Sequence, residues 1–308
     1  METTWTLSAI CEHYIRRRIF NADSENLYWT SARRLEQYIK ERGLTLQQVD
    51  EELLLDWRSL LLQQVSRVTI NTYLQHLRAL FAHAERYGLL ASNPMRSVTR
   101  VPVLQKGPKT LDPGAFDTAI EYLRSPDRRM EPAWFWIVVL YTLRLIGMRA
   151  RQAIELRWED LDFEKRLIRL RAEGSKTRRE WQIPMMEELK DHLEDLRART
   201  RTVTTLRKEM QVLNVTLFHS RYKGEEMTRE QLSGALKRLS AHIGVKISSH
   251  RIRHTVGTQM GNVSAPNIIA IKNLLGHTDV RTTAIYIAIE VETMRAELCR
   301  AYHDAEGK

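Results

Sequence analysis

The chain has 308 residues, with 48 Lys+Arg against 38 Asp+Glu, a formal net charge of +10 and a pI near 9.7. That balance favours a polyanionic partner and a salt-sensitive affinity. Only Cys11 and Cys299 are present, so no disulfide framework is expected and a reducing cytoplasm fits; no apolar run of about 18 residues, signal-peptide pattern or glycine-rich nucleotide loop occurs, which argues against a membrane partner and a nucleotide enzyme.

Residues 1–100 read as a separate helical unit, holding 13 Lys+Arg and 11 Asp+Glu, so most of the positive excess lies beyond it. Leu35, Tyr38 and Ile39 recur among charges over residues 28–42, and residues 53–62 form a second amphipathic stretch. Ser66 opens a longer helix with Ile70, Tyr73, Leu74, Leu77, Leu80, Phe81 and Ala84 on one side, ended by Tyr87 and Gly88. Asn93 and Pro94 close the unit. Residues 101–110 are punctuated by Pro, Gly and Lys without helical period, as a linker is, and residues 111–308 form the second domain.

In that second domain Trp134, Phe135 and Trp136 lead an apolar core helix that ends at Gly147, Met148 and Arg149. The glycine lets the backbone turn and approach a ligand closely. Ile154, Leu156, Trp158 and Leu161 mark a short helix, and residues 167–171 a strand. Residues 173–179 form a hairpin tip carrying Lys176, and residues 180–184 the returning strand. Farther on, residues 264–274 read as a helix with Ile268, Ile269, Ile271, Leu274 and Leu275 in the core.

The chemistry concentrates in His250, Arg253 and His254, then Leu275, Gly276 and His277, and nine residues later Tyr286. Displacement at phosphorus spreads negative charge over non-bridging oxygens, which guanidinium groups hold bidentately. A phenol of pKa ~10 attacks at neutral pH only with cations or a base beside it, and histidine of pKa ~6.5 serves as that base. His250 and His254 are spaced to share a metal, but no third ligand of the zinc-hydrolase type follows, so no metal and no cofactor is expected.

These motifs, in this order, resemble the tyrosine recombinases, the phage-integrase type of site-specific DNA recombinase. Gly147 and Arg149 match the first arginine motif, Lys176 the hairpin lysine, His250 and Arg253 the His-x-x-Arg box, and His277 and Tyr286 the Leu-Gly-His box and the nucleophile. The likeness covers about residues 132–288, with 104 residues from Arg149 to Arg253 and 33 from Arg253 to Tyr286. It departs at Gln152, where the family carries an acid that orients the arginine.

The resemblance implies a mainly α fold with a small antiparallel β-sheet, in which an N-terminal SAM-like helical DNA-binding bundle precedes the catalytic domain. It implies attack by Tyr286 through a 3′-phosphotyrosyl intermediate, without ATP or metal. Arg149 and Arg253 would clamp the phosphate, Lys176 would protonate the leaving oxygen, His250 would act as acid/base, and His277 would hydrogen-bond the phosphate. The implied partners are double-stranded DNA with inverted-repeat core sites, three further copies in a homotetramer on two sites, and accessory DNA-bending proteins, in the cytoplasm at the nucleoid. A type IB topoisomerase and a non-catalytic DNA-binding protein on the same scaffold are the alternatives.

Val291, Met294, Leu298 and Tyr302 repeat at helical spacing near the C-terminus, a tail that either packs on its own domain or links protomers. The resemblance further implies that the front domain clasps DNA opposite the catalytic one. Removing residues 1–105 should therefore reduce affinity for the DNA site strongly in a gel-shift titration; near-unchanged binding by the remainder would discard the clasp.

Overall fold

The computed structural model describes residues 5–104, 107–171, 180–263, 267–277 and 279–286. The chain divides into two compact units, Met1–Gln105 and Lys106–Lys308.

The first unit is all helical: α1 (Leu7–Arg16), α2 (Ala22–Glu41), α3 (Glu51–Gln64) and α4 (Arg67–Arg86). Each starts where a short polar side chain accepts an otherwise orphaned backbone N–H, namely Thr6, Asn21, Asp50 and Ser66. The apolar stripes of the four helices meet around Ile10, Leu35, Trp57, Leu74 and Phe81, all buried. Helix α1, which buries Leu7, Ile10, Cys11 and Tyr14, is an addition to the sequence reading. The Asn71 side chain donates to the Val101 carbonyl and accepts from the Val101 N–H, both at 2.8 Å, so the chain stays fastened to this unit as far as Val101.

The second unit is built on α6 (Ala133–Ile146), which is apolar nearly all round and buries Phe135, Trp136, Val139, Leu140 and Leu143. Around it pack α5 (Ala115–Arg124), α8 (Glu187–Val203) and α10 (Ser249–Gly261); α7 (Ala150–Glu155) and α9 (Arg229–Ile243) adjoin, and α11 (Ile268–Leu275) and α12 (Val280–Ala284) follow α10. The fold is mainly α with a small antiparallel sheet, as the sequence implies. Helices α5, α8 and α9 are additions to that reading. In the charge-dense α8 only Leu189, Leu193, Leu196 and Thr200 are buried, at steps of three and four residues. The expectation for the helix now seen as α11 is corrected in its start, which is Ile268, and in its core face, since Ile268 and Leu274 are only half-buried. Ile271 and Leu275 are buried, but Ile269 is 52% exposed because it lies on the opposite face.

The sheet has three strands, β1 (Leu161–Asp162), β2 (Leu167–Leu170) and β3 (Trp181–Pro184), in the order β1-β2-β3. Two strands were expected; β1 is too short for an alternation to register. Ile168 pairs with Ile183 and Leu170 with Trp181, so the apolar face of the hairpin base meets the core. On the other face the fully buried Asp160 carboxylate accepts from the Arg171 guanidinium at 2.7 Å, from Arg169 at 2.8 Å and from the Arg157 backbone N–H at 3.0 Å. The hairpin base is thus pinned on both faces. Lys176 and the expected tip fall outside the described residues, as does the tail from residue 287. Among the described residues no helix is long and apolar enough to cross a membrane.

Replacing Asp160 by Asn removes the charge while keeping the shape, leaving two arginines facing a neutral amide. Stability should fall by about 2 kcal/mol, less than for a fully enclosed pair because both arginines reach solvent. A urea midpoint equal to that of the parent protein would show that the carboxylate anchors nothing.

Candidate active site

Helix α6 ends at Gly147, whose left-handed backbone (φ 67°) turns the chain so that Arg149 enters the next helix as its cap. A Cβ on Gly147 would stand 3.1 Å from Val256 and 3.2 Å from Leu275, so the turn is wedged between α10 and α11. Gln152, buried on α7, accepts from the Arg149 backbone N–H at 2.9 Å. It therefore holds the arginine's backbone and not its guanidinium. Its own Nε2, and Nη1 of Arg149, are both buried without a hydrogen-bond partner among the described residues. An arginine donor left unpaired in this way is disposed toward an external acceptor.

Helix α10 starts at Ser248, whose hydroxyl accepts from the Arg251 N–H. Helical spacing then sets His250, Arg253, His254 and Gly257 on adjoining turns. Arg253 is only 4% exposed. Its Nη1 donates to the Gly147 carbonyl at 2.8 Å, and its Nη2 to the Leu275 carbonyl and to His277 Nε2, the latter at 3.0 Å. Both carbonyls belong to helix C-termini, the end of α6 and the end of α11, where backbone oxygens lack helical partners and the helix dipole is negative. Burial nevertheless pulls the Arg253 pKa down to about 9, with Arg149 adding repulsion.

A guanidinium has no acceptor, so His277 Nε2 is unprotonated and His277 carries its proton on Nδ1, which donates to Thr283 Oγ1 at 2.9 Å. Both ring nitrogens are thus engaged. Burial, then Arg253 and Arg149, hold its pKa down at about 4, in keeping with a neutral ring. The Leu-Gly-His turn that presents it depends on Gly276 (φ 59°): a Cβ there would meet the Trp181 indole at 2.3 Å. Strand β3 and the His277 turn are in direct contact through that indole.

Tyr286, 3% exposed, lies stacked beside His277 at 6.0 Å between ring centroids. Its ring rests on Gly257, where a Cβ would stand 2.9 Å from it, so α10 has to be bare at that position. The phenol oxygen meets His254 Nδ1 at 2.8 Å, and His254 Nε2 meets His250 Nε2 at 2.7 Å. Burial raises the Tyr286 pKa, against the pull of Arg253 and Arg149, so the hydroxyl is neutral at pH 7. His254 is pushed down to about 4 by burial, His250 and Arg253, and burial also lowers His250. Neutral, both rings are free to accept a proton.

Of the six residues singled out in the sequence, five come together. Arg149, His250, Arg253, His277 and Tyr286 line one cleft of about 710 Å³; Lys176 is outside the described residues. The residue touching the phenol is His254, where the sequence points to His250. Gly257 was also missed. His254 stands in the sequence among the residues where the chemistry concentrates, but with no role toward the phenol; nothing local marks Gly257, since its partner is 29 residues away.

The Phage integrase family matches residues 127–293, and the Phage integrase SAM-like domain matches residues 6–100. Among curated proteins, one of Pseudomonas syringae named as a XerC-type tyrosine recombinase is 32% identical over 94% of this chain, which spans 63% of that protein's length. A Pseudomonas aeruginosa protein of the same naming is 30% identical over 95% of this chain and 71% of its own. Among solved structures, the Tn1549 transposon integrase (residues 82–397) in complex with a circular intermediate DNA has a TM-score of 0.75 at 21% identity, covering 96% of this chain and 99% of that one. The XerH site-specific recombinase bound to difH substrate has a TM-score of 0.71 at 17% identity, covering 96% and 84%. The structural likenesses speak to the fold; the two family matches and the sequence identity place the chain in the phage integrase family, the tyrosine recombinases.

Proposed function

We propose that this chain is a site-specific DNA recombinase that cleaves and rejoins strands through Tyr286. The observation that carries the reading is a buried phenol beside neutral histidines, in one cleft with two arginines, one of which keeps an unpaired guanidinium nitrogen. A phosphodiester needs those three things: a nucleophile, a place for its proton, and fixed positive charge for the oxygens.

Tyr286 attacks the scissile phosphate, forming a 3′-phosphotyrosyl link and freeing a 5′-hydroxyl. The link conserves the phosphodiester bond, so a 5′-hydroxyl from partner DNA reverses the step without an energy source. Arg149 holds a non-bridging oxygen through its unpaired nitrogen. Arg253 supplies charge from a position fixed by two helix ends, and His277 steadies it by accepting from Nη2. A direct contact from His277 to phosphate requires that one of its present hydrogen bonds be exchanged. His250 serves as acid/base toward the phenol, and Lys176 protonates the leaving 5′ oxygen. The substrate is double-stranded DNA bearing an inverted repeat, and four copies on two sites, with accessory bending proteins, complete the exchange. The excess of Lys+Arg supports a polyanionic partner.

The test is a labelled, nicked duplex carrying the inverted repeat that the protein selects from a randomised pool, incubated without added metal and run on a denaturing gel. The parent protein should give an adduct that survives SDS, and Tyr286→Phe none. An adduct with Tyr286→Phe would move the assignment to another residue, Tyr302 first. Gly257→Ala displaces the ring from α10. Because a misplacement of about 1 Å costs on the order of 100-fold, it should slow adduct formation by at least tenfold while leaving the gel shift intact. An unaltered rate would show that the ring need not rest there.

A further inference from the structure

The phenol of Tyr286 has one hydrogen-bonding neighbour among the described residues, and it is a histidine to which neither the family motifs nor the scheme above gives a task. His254 Nδ1 stands 2.8 Å from Tyr286 Oη. Its other nitrogen stands 2.7 Å from His250 Nε2. In a neutral ring one nitrogen donates and the other accepts. Tyr286 Oη–H has to donate somewhere, so His254 Nδ1 accepts, His254 Nε2–H donates to His250 Nε2, and His250 carries its own proton on Nδ1. The three groups form one directed chain, phenol to His254 to His250.

The surroundings favour movement of charge along that chain in one direction. Arg253 on the same helix, His250 and His277 face His254, and its ring is partly covered. Positive charge would be held poorly there. Arg253 and Arg149 face His250 as well, but His250 lies one turn nearer the start of α10 and is exposed, so a cation at that ring is hydrated.

We propose that His254 takes the Tyr286 proton and passes its own Nε2 proton to His250, so that the two rings act as one base whose charge appears at the solvent-facing end. The inference rests on Tyr286 being the nucleophile. In the cleavage step the Oη–P bond forms and the P–O5′ bond breaks. The phenol proton goes to His254 Nδ1, the His254 Nε2 proton goes to His250 Nε2, and the 5′ oxygen leaves with a proton from Lys176. Rejoining runs the same transfers backwards.

His254→Asn separates relay from positioning, because the Asn Oδ1 sits where Nδ1 accepts and keeps the hydrogen bond, yet the amide neither takes a proton nor hands one on. On the selected nicked duplex it should form the adduct about 100-fold more slowly or worse, the usual effect of removing a general base, with unchanged DNA binding and a cooperative melt. His254→Gln, for use if the Asn protein does not fold, should be as slow. A duplex whose scissile bridging oxygen is replaced by sulfur supplies a leaving group that needs no proton. It should restore Lys176→Ala but not His254→Asn. A His254→Asn protein with the parent rate, or one restored by the sulfur substrate, would overturn the relay while leaving Tyr286 as nucleophile. No adduct from the parent protein on any selected duplex would remove the nucleophile assignment itself, and the relay with it.

Discussion

A guanidinium that is 4% exposed has to be given acceptors by the protein, and those given to Arg253 organise the catalytic unit. An unpaired buried charge costs several kcal/mol, so the carbonyls of Gly147 and Leu275 are held to α10 as firmly as α10 is held to them. These partners lie 106 and 22 residues away in sequence. One side chain thereby brings the C-terminal ends of α6 and α11 to a single point. The glycines at positions 147 and 276 belong to the same device: each ends its helix in the left-handed conformation and leaves the last carbonyls open.

The remainder of the cleft is assembled from what that point leaves in place. Arg149 follows directly from the end of α6, and His277 directly from the end of α11. His277 shares the guanidinium, and Tyr286 stacks on His277 and lies along bare Gly257. Neutral histidines are the electrical consequence. Burial and the nearby arginines together push the imidazoles of the cleft toward their unprotonated forms. The same charges that would hold a phosphate thus keep the bases ready.

Much of this was legible in the sequence, for identifiable reasons. Arg149, Arg253, His277 and Tyr286 stand in motifs that resemble those of the tyrosine recombinases in order and spacing, and Ser66, Gly147 and Pro184 punctuate elements by local chemistry that acts within a few residues. What escaped depends on contacts between distant positions. Whether Tyr286 meets His250 or His254 is a matter of how a ring lies across a helix, and both histidines occupy the same face of α10. Gln152 departs from the acid that the family carries to orient the arginine; in the fold it caps the arginine's backbone. Ile269 was placed in the core because it belongs to an apolar run, yet an eight-residue helix has room for only two fully buried positions there.

The Trp181 indole lying against Gly276 has a mechanical meaning. Strand β3 is the return arm of the hairpin whose sequence carries Lys176, and the turn it touches carries His277. A force that tilts β3 is transmitted through a rigid aromatic plate to the turn that carries His277, and through its hydrogen bond to Arg253. Strand β3 and the end of α11 are therefore geared together, and a displacement of one resets the alignment of the other.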